Sequence, residues 1–445
     1  MIKNKGSQAL KIFKILTVIL IFFCAGCASQ TDRKTPVYCK ADYLYAFDDD
    51  SLEQKAEGVK SGKNLLSYHL NQQHDHNLSK MTDNTVTRER TAETKQKYTI
   101  LIMSGGGQNG AFGAGILNGW SDREEGIKRS DVDMITTIST GAMALTYALV
   151  GNYGTEDQQN MADQALKNIY TKTSEDDLLE KKNVITMLTT NSLVNTRGMG
   201  RTLDGAIKEF MPMIRAWPED GNWAGKMAFA GVVNMDNGKF YVSDLLQVAR
   251  DKGRDGEQDL TSEKCYREII LASSAEPAFF PPRFITTDPL TSGGGHMYVD
   301  GGLRFGTFWD ENLKALEAHN MAVEVYVIVN GDLAVDPYVC NDSGECFRET
   351  KNIKNSILDI AKRSSVIATD QLYKGSLDKI YRNLMTHYGA GNFKMNYTYI
   401  KPEYIRQKQC RKSLNSFDPA FMSCLFDIGE MVGRTWDWQD YAHKK

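Results

Sequence analysis

The chain has 445 residues, with 53 lysines and arginines against 56 aspartates and glutamates and a formal net charge of −3. That length is enough for one large hydrophobic core. The near-balanced, mildly acidic charge, without a long basic run, excludes the electrostatic footprint of a nucleic-acid binder.

Residues 1–26 read as an export signal. Lys3, Lys5, Lys11 and Lys14 make a basic start, Ile15–Phe23 an apolar core, and Cys24-Ala25-Gly26-Cys27 follows. Small residues before a cysteine at the end of such a core resemble a bacterial lipobox, although Cys24 stands where leucine is usual. The expectation is a lipoprotein carrying its lipid on Cys27 after cleavage. The apolar stretch is shorter than the ~20 residues a spanning helix needs, which disfavours the alternative of an uncleaved anchor; simple secretion is the other alternative. Ala28-Ser29 lacks the acidic residue that retains lipoproteins in the inner membrane of enteric bacteria, so the outer membrane is the expected location. Loss of the four lysines takes the net charge from −3 to −7, so membrane attachment would come from lipid rather than from a basic patch.

Residues 27–97 read as a polar, partly helical segment and tether. Leu52, Ala56, Val59, Leu65 and Leu66 give a thin apolar face to a helix over Ser51–Gln72, and Asp83–Lys97 reads as the tether itself. His74-Asp75-His76 is dense in ligand types but has no second cluster, and solvated histidines are expected there rather than a metal site. Besides Cys27 the mature chain has Cys39, Cys265, Cys340, Cys346, Cys410 and Cys424. Disulfides fit an oxidising compartment, and six cysteines allow 15 pairings among which sequence does not choose. Buried free thiols are the alternative. No Cys-x-x-Cys spacing in the mature chain points to zinc.

From residue 98 to about 400 strands and helices alternate, as in an α/β domain. Tyr98–Met103 is an apolar run of β-formers. It leads into Ser104-Gly105-Gly106-Gly107-Gln108-Asn109-Gly110 and then a helix through Ile116, Leu117 and Trp120. Met134–Ile138 is a second strand, running into Ser139-Thr140-Gly141-Ala142 and another helix from Met143. Further strands are expected at Met227–Asn234, Lys239–Val242, Met297–Val299 and Val323–Val329. Helices are expected at Glu156–Tyr170, Gly200–Phe210, Ser243–Asp251, Glu263–Ser273, Asn312–His319 and Ile353–Met385. Residues 401–445 read as a C-terminal extension packing on the domain. Within it Asn415–Tyr441 is an aromatic-rich helix that closes the core or touches lipid.

The two strand–turn–helix units are chemically complementary. Glycines after a strand let backbone N–H groups converge at a helix N-terminus, where the dipole favours negative charge. A serine on a sharp strand-to-helix turn projects its Oγ, with the next N–H aimed at the same spot. Nucleophile and oxyanion site together are what acyl transfer needs.

These motifs carry a specific resemblance. Gly105-Gly106-Gly107-Gln108-Asn109-Gly110, Ile138-Ser139-Thr140-Gly141 and Val299-Asp300-Gly301-Gly302 look, in order and spacing, like the three motifs of the patatin-like phospholipase family. The family-like stretch Ala272-Ser273-Ser274-Ala275-Glu276-Pro277-Ala278-Phe279-Phe280-Pro281-Pro282 lies between the second and third. The resemblance implies a three-layer α/β/α fold with a mainly parallel central sheet. It also implies a Ser139–Asp300 dyad without histidine, and an oxyanion hole of Gly105, Gly106 and Gly107 with the N–H of Thr140. Gly110, Gly141, Gly301 and Gly302 are the glycines of the motifs. Phospholipids or lysophospholipids are the implied substrates, with no metal or organic cofactor; protein partners stay open at this point. The chain departs from the family at Thr137, where glycine is usual and a side chain could crowd the elbow. It departs again at Asn109, where a basic residue is frequent.

Three other readings compete. A Ser-His-Asp triad would need one of seven histidines, of which His296 is nearest to Asp300 in sequence. Gly105-x-Gly107-x-x-Gly110 also fits a dinucleotide loop, but Asp131 and Asp133 precede the second strand instead of ending it. A general carboxylester hydrolase or thioesterase, or a weakly active lipid-binding lipoprotein, would use the same scaffold.

Overall fold

The computed structural model describes residues 35–47, 97–182, 191–219, 221–251, 260–288, 294–309, 321–333, 338–340, 346–348, 353, 355–410 and 417–444. The signal, Cys27, the Ser51–Gln72 helix, His74-Asp75-His76, the tether up to residue 96 and the Asn312–His319 helix lie outside them.

The strands are β1 (Val37–Tyr38), β2 (Tyr45–Ala46), β3 (Lys97–Met103), β4 (Met134–Thr137), β5 (Glu180–Lys181), β6 (Val194–Asn195), β7 (Met227–Asn234) and β8 (Phe240–Asp244). They continue with β9 (Arg283–Thr286), β10 (His296–Asp300), β11 (Ala322–Val329), β12 (Tyr338–Cys340), β13 (Cys346–Arg348), β14 (Phe393–Tyr399) and β15 (Gln439–Asp440). The helices are α1 (Gly110–Ser121), α2 (Thr140–Tyr153), α3 (Glu156–Lys172), α4 (Glu175–Leu178), α5 (Arg197–Ala216), α6 (Leu245–Arg250), α7 (Leu260–Ser273), α8 (Ile357–Tyr388), α9 (Pro402–Gln407) and α10 (Pro419–Thr435).

One sheet organises the molecule, in the order β1-β9-β10-β7-β4-β3-β11-β14-β15, with β8 pairing to both β7 and β2. Its centre, β7-β4-β3-β11-β14, is parallel, and the pairings of β10 with β7 and of β15 with β14 are antiparallel. A central parallel strand is covered on both faces and so reads as an unbroken apolar run; β3 is buried from Tyr98 to Met103. One face of the sheet packs on α1, α2, α5, α7 and α10, and the other on Tyr373, Leu377, Ile380 and Leu384 of α8. This is the expected three-layer α/β/α fold with a mainly parallel sheet.

Two parts of the expected layout change. The segment 27–97, read as polar, contributes β1 and β2 to the sheet, and Cys39 in its described part is bonded to Cys265 of α7. Two-residue strands are too short to leave a period-2 pattern in sequence, which is why this edge was not legible. The last helix covers Pro419–Thr435 rather than Asn415–Tyr441: Trp436 ends it in a left-handed conformation (φ 58°), and β15 follows. Strands β9 and β14 were also unexpected; Lys394, Asn396 and Thr398 alternate through β14 and dilute its apolar signal.

Helix α10 is integral to the core. A Cβ on Gly429 would stand 2.0 Å from the Phe112 carbonyl oxygen, and one on Gly115 would stand 2.1 Å from that of Phe426. The two backbones are therefore in direct contact, a packing only small residues allow. Trp436 and Trp438 turn inward, with ring centroids 5.0 Å from Trp120 and 5.4 Å from Tyr326 respectively. The bond between Cys410 and Cys424 closes the loop that leads into α10. Cys340 and Cys346 are paired in register in the β12–β13 hairpin.

Candidate active site

The parallel strands β3 and β4 pair Met103 with Thr137, so the turns that follow them open side by side at one sheet edge. This is the edge where ligands bind in open α/β sheets.

After β3 the glycine loop is pinned through its carbonyl side. Ser104 Oγ donates to the Gly105 carbonyl (2.7 Å) and accepts from the Asn330 N–H (2.8 Å). Asn330 Nδ2 donates to the Ser104 carbonyl (2.9 Å), and its Oδ1 accepts from the Gly113 N–H in α1 (3.0 Å). The buried Tyr373 hydroxyl of α8 donates to the Gly105 carbonyl from the far side of the sheet (2.9 Å). Gly106 has φ 151°, and a Cβ there would stand 2.1 Å from the Asn330 carbonyl oxygen, so no other residue fits. The N–H groups of Gly105, Gly106 and Gly107 make no hydrogen bond to another described residue. They are the free donors an oxyanion site needs.

After β4 the chain turns sharply. Ser139 has φ 55° and ψ −122°, a left-handed backbone that strains a non-glycine residue. Its N–H donates to Ser273 Oγ (3.0 Å), and its carbonyl accepts from Ser274 Oγ (3.1 Å) and from the Met143 N–H (3.1 Å). Thr140 is the first residue of α2, so its N–H has no partner one turn back. Its hydroxyl is 2.8 Å from that of Tyr170. Thr137 does not crowd the elbow: its hydroxyl turns sideways and donates to the Phe229 carbonyl of β7 (2.9 Å). Asn109 is half-buried in the short turn that enters α1.

Asp300 ends β10, paired to Val232 of β7, and its N–H donates to the Ala275 carbonyl (3.0 Å). The residue is only 6 % exposed. Its Oδ1 accepts from the Gly302 N–H at 2.7 Å, and the Ser139 side chain is close enough to favour its charged form. Burial pushes this carboxyl up to about 7; the neighbouring Ser139 side chain and the Gly302 N–H pull it down, and the Glu276 charge adds to the rise. A Cβ on Gly105 would stand 3.0 Å from Ser139 Cβ, so the glycine loop lies against the serine. Gly110 abuts Thr140, Gly141 abuts the Met103 carbonyl, and Gly301 abuts the Gly231 carbonyl.

His296, the rival base, begins the strand that Asp300 ends. Its exposed side chain has Nδ1 3.4 Å from Asp236 Oδ2. Four strand residues amount to roughly 13 Å, so His296 is remote from the serine.

Beside Ser139 opens an apolar cavity lined by Met143 and Tyr147 of α2, Ile169 of α3, Met199 and Leu203 of α5, Phe280 and Met422. Phe280 is one of its walls. Phe279 points out to solvent instead, at 44 % exposure. Four residues that hold the site had no role in the sequence reading. Asn330 and Tyr373 are 226 and 268 residues from the glycine-loop residues they hold and leave no local signal. Ser273 and Ser274 stand in the quoted stretch, but nothing in it says which residue they touch.

Comparison with known proteins places this arrangement. Residues 101–311 match the family model described as patatin-like phospholipase. Among solved structures, VipD from Legionella pneumophila is similar at 12 % identity over 81 % of this chain and 74 % of that one, with a TM-score of 0.33, too low to add weight. No curated protein matches the chain. The matched residues hold both turns, Ser139 and Asp300, and over them the chain is similar to the patatin-like phospholipase domain.

Proposed function

We propose that the protein is a serine hydrolase of fatty-acyl esters in phospholipids or lysophospholipids, held at the outer membrane by lipid on Cys27. The observation that carries the reading is the placement of Ser139 beside the buried Asp300 carboxylate, both tied to the turn at residues 273–275 and set next to a glycine loop whose amides find no partner among the described residues. Asp300 takes the Oγ proton as Oγ bonds to the ester carbonyl carbon, and the N–H groups of Gly105–Gly107 and Thr140 receive the negative oxygen. Collapse breaks the bond to the alcohol, which leaves with the proton from Asp300. Water, deprotonated by Asp300, then frees the fatty acid from the acyl-serine. Every step uses side chains, backbone amides and water. The apolar cavity favours a long acyl chain over a small polar one.

Intact-mass analysis after treatment with a fluorophosphonate tests the nucleophile. One adduct is expected on the wild type and none on Ser139→Ala; an adduct on both would refute it. The anchor is tested separately: Cys27→Ser should move the exported protein from the membrane to the soluble fraction, and unchanged membrane association would refute lipidation.

A further inference from the structure

We infer that Ser273 and Ser274 are positioning residues that hold Ser139 and, through the residue that follows them, Asp300 in one frame. The inference rests on the dyad proposed above and goes beyond it by assigning the turn that ends α7.

Three consecutive residues bind both partners of the dyad. The Ser273 hydroxyl accepts from the Ser139 N–H (3.0 Å) and donates to the Gly231 carbonyl (2.8 Å). Because its proton is committed to Gly231, its lone pair faces Ser139. The Ser274 hydroxyl donates to the Ser139 carbonyl (3.1 Å), and the Ala275 carbonyl accepts from the Asp300 N–H (3.0 Å). Gly231 lies on β7 beside Val232, the pairing partner of Asp300. The nucleophile's backbone is thus tied, through one hydroxyl, to β7, the strand that pairs with the one carrying Asp300.

A serine at a helix end most often serves its own helix, bonding to a carbonyl or amide one turn away. These two reach across 134 and 135 residues of sequence to a single residue. Both are buried, Ser273 completely and Ser274 to within 5 %. The residue they hold is the one with the strained φ of 55°. Strain of this kind persists only where the surroundings fix it from more than one side. A displacement of about 1 Å at a reacting group can cost on the order of 100-fold in rate, so the clamp has leverage on catalysis.

The test compares wild type, Ser273→Ala, Ser273→Thr and Ser274→Ala. Fluorophosphonate labelling rates and kcat and KM on a nitrophenyl ester are read between about pH 5 and 9, with thermal melting alongside. Ser273→Ala should lose about 10- to 100-fold in kcat and in labelling rate, with KM within about twofold. Its acid limb should move to higher pH, because a misaligned Ser139 hydroxyl no longer favours the Asp300 carboxylate. Ser274→Ala should lose less, and Ser273→Thr, which keeps a hydroxyl, should regain rate. Wild-type kcat and an unmoved pH profile in the folded alanine variants would overturn the inference, as would a loss that only tracks the unfolded fraction. Labelling without ester hydrolysis would defeat the lipid-hydrolase reading alone, with the clamp still judged on labelling rates. A wild type that does not label would overturn both.

Discussion

Asp300 is a carboxylic acid whose surroundings favour its neutral form almost up to neutral pH. Its ordinary value of 3.8 is raised to about 7 by burial, with only the neighbouring Ser139 side chain and the Gly302 N–H resisting. As the proposed base it would work only when ionised, so acyl hydrolysis should fall about tenfold per pH unit on the acid side of about pH 7. Between about pH 4 and 7 the folded chain binds more protons at this site than the unfolded chain, so this group's contribution to stability falls as pH rises through that window. Asp300→Asn should therefore abolish hydrolysis while raising the melting temperature at pH 8, by about 1–3 kcal/mol in stability, with the gain fading toward pH 4. Melting the variant and the wild type at both pH values checks this; a variant less stable at pH 8 would contradict it. Asn330 is the matching residue on the oxyanion side. Loss of its two side-chain hydrogen bonds in Asn330→Ala should lower kcat by about 10- to 100-fold with little change in KM, measured by steady-state kinetics. The turns that carry Ser139 and Asp300 were legible in sequence because their motifs are local, a strand followed by a fixed turn. Asn330, Tyr373, Ser273 and Ser274 were not, because their partners are chosen by the packing of distant elements.

The elements most fully anticipated are those with the plainest periodicity. Strand β7 spans Met227–Asn234 as expected, and β3, β4 and β11 differ by one residue at an end. Each is a buried apolar run ended by turn residues. The polar alternation of β14 and the four-residue length of β9 hid them. The contact between α1 and α10 was hidden too, since a glycine in a helix reads as a weak point until a second backbone lies against it. There the glycines are a packing requirement. Gly429→Ala would place a methyl 2.0 Å from a backbone oxygen, so one helix must move. Such overpacking typically costs about 1–3 kcal/mol, and urea unfolding should show at least that loss. Because α1 begins directly after the glycine loop, kcat should fall in the same variant.

At the scale of the whole molecule, the Cys39–Cys265 bond joins the N-terminal edge of the sheet to α7, across 226 residues of sequence. In the chain-entropy view a loop of that size is worth roughly 5 kcal/mol. Cys39→Ser with Cys265→Ser should lower stability by about 3–5 kcal/mol, with the midpoint of denaturant unfolding as the readout. The same bond places any anchor attached ahead of Cys39 on the helix whose end holds Ser139 and Asp300. The account as a whole is tested most directly by fatty-acid release from vesicles of a defined phospholipid at pH 8, with wild type, Ser139→Ala and Asp300→Asn side by side. Release by the wild type and none by either folded variant is the predicted result; release by Asp300→Asn at the wild-type rate would contradict it.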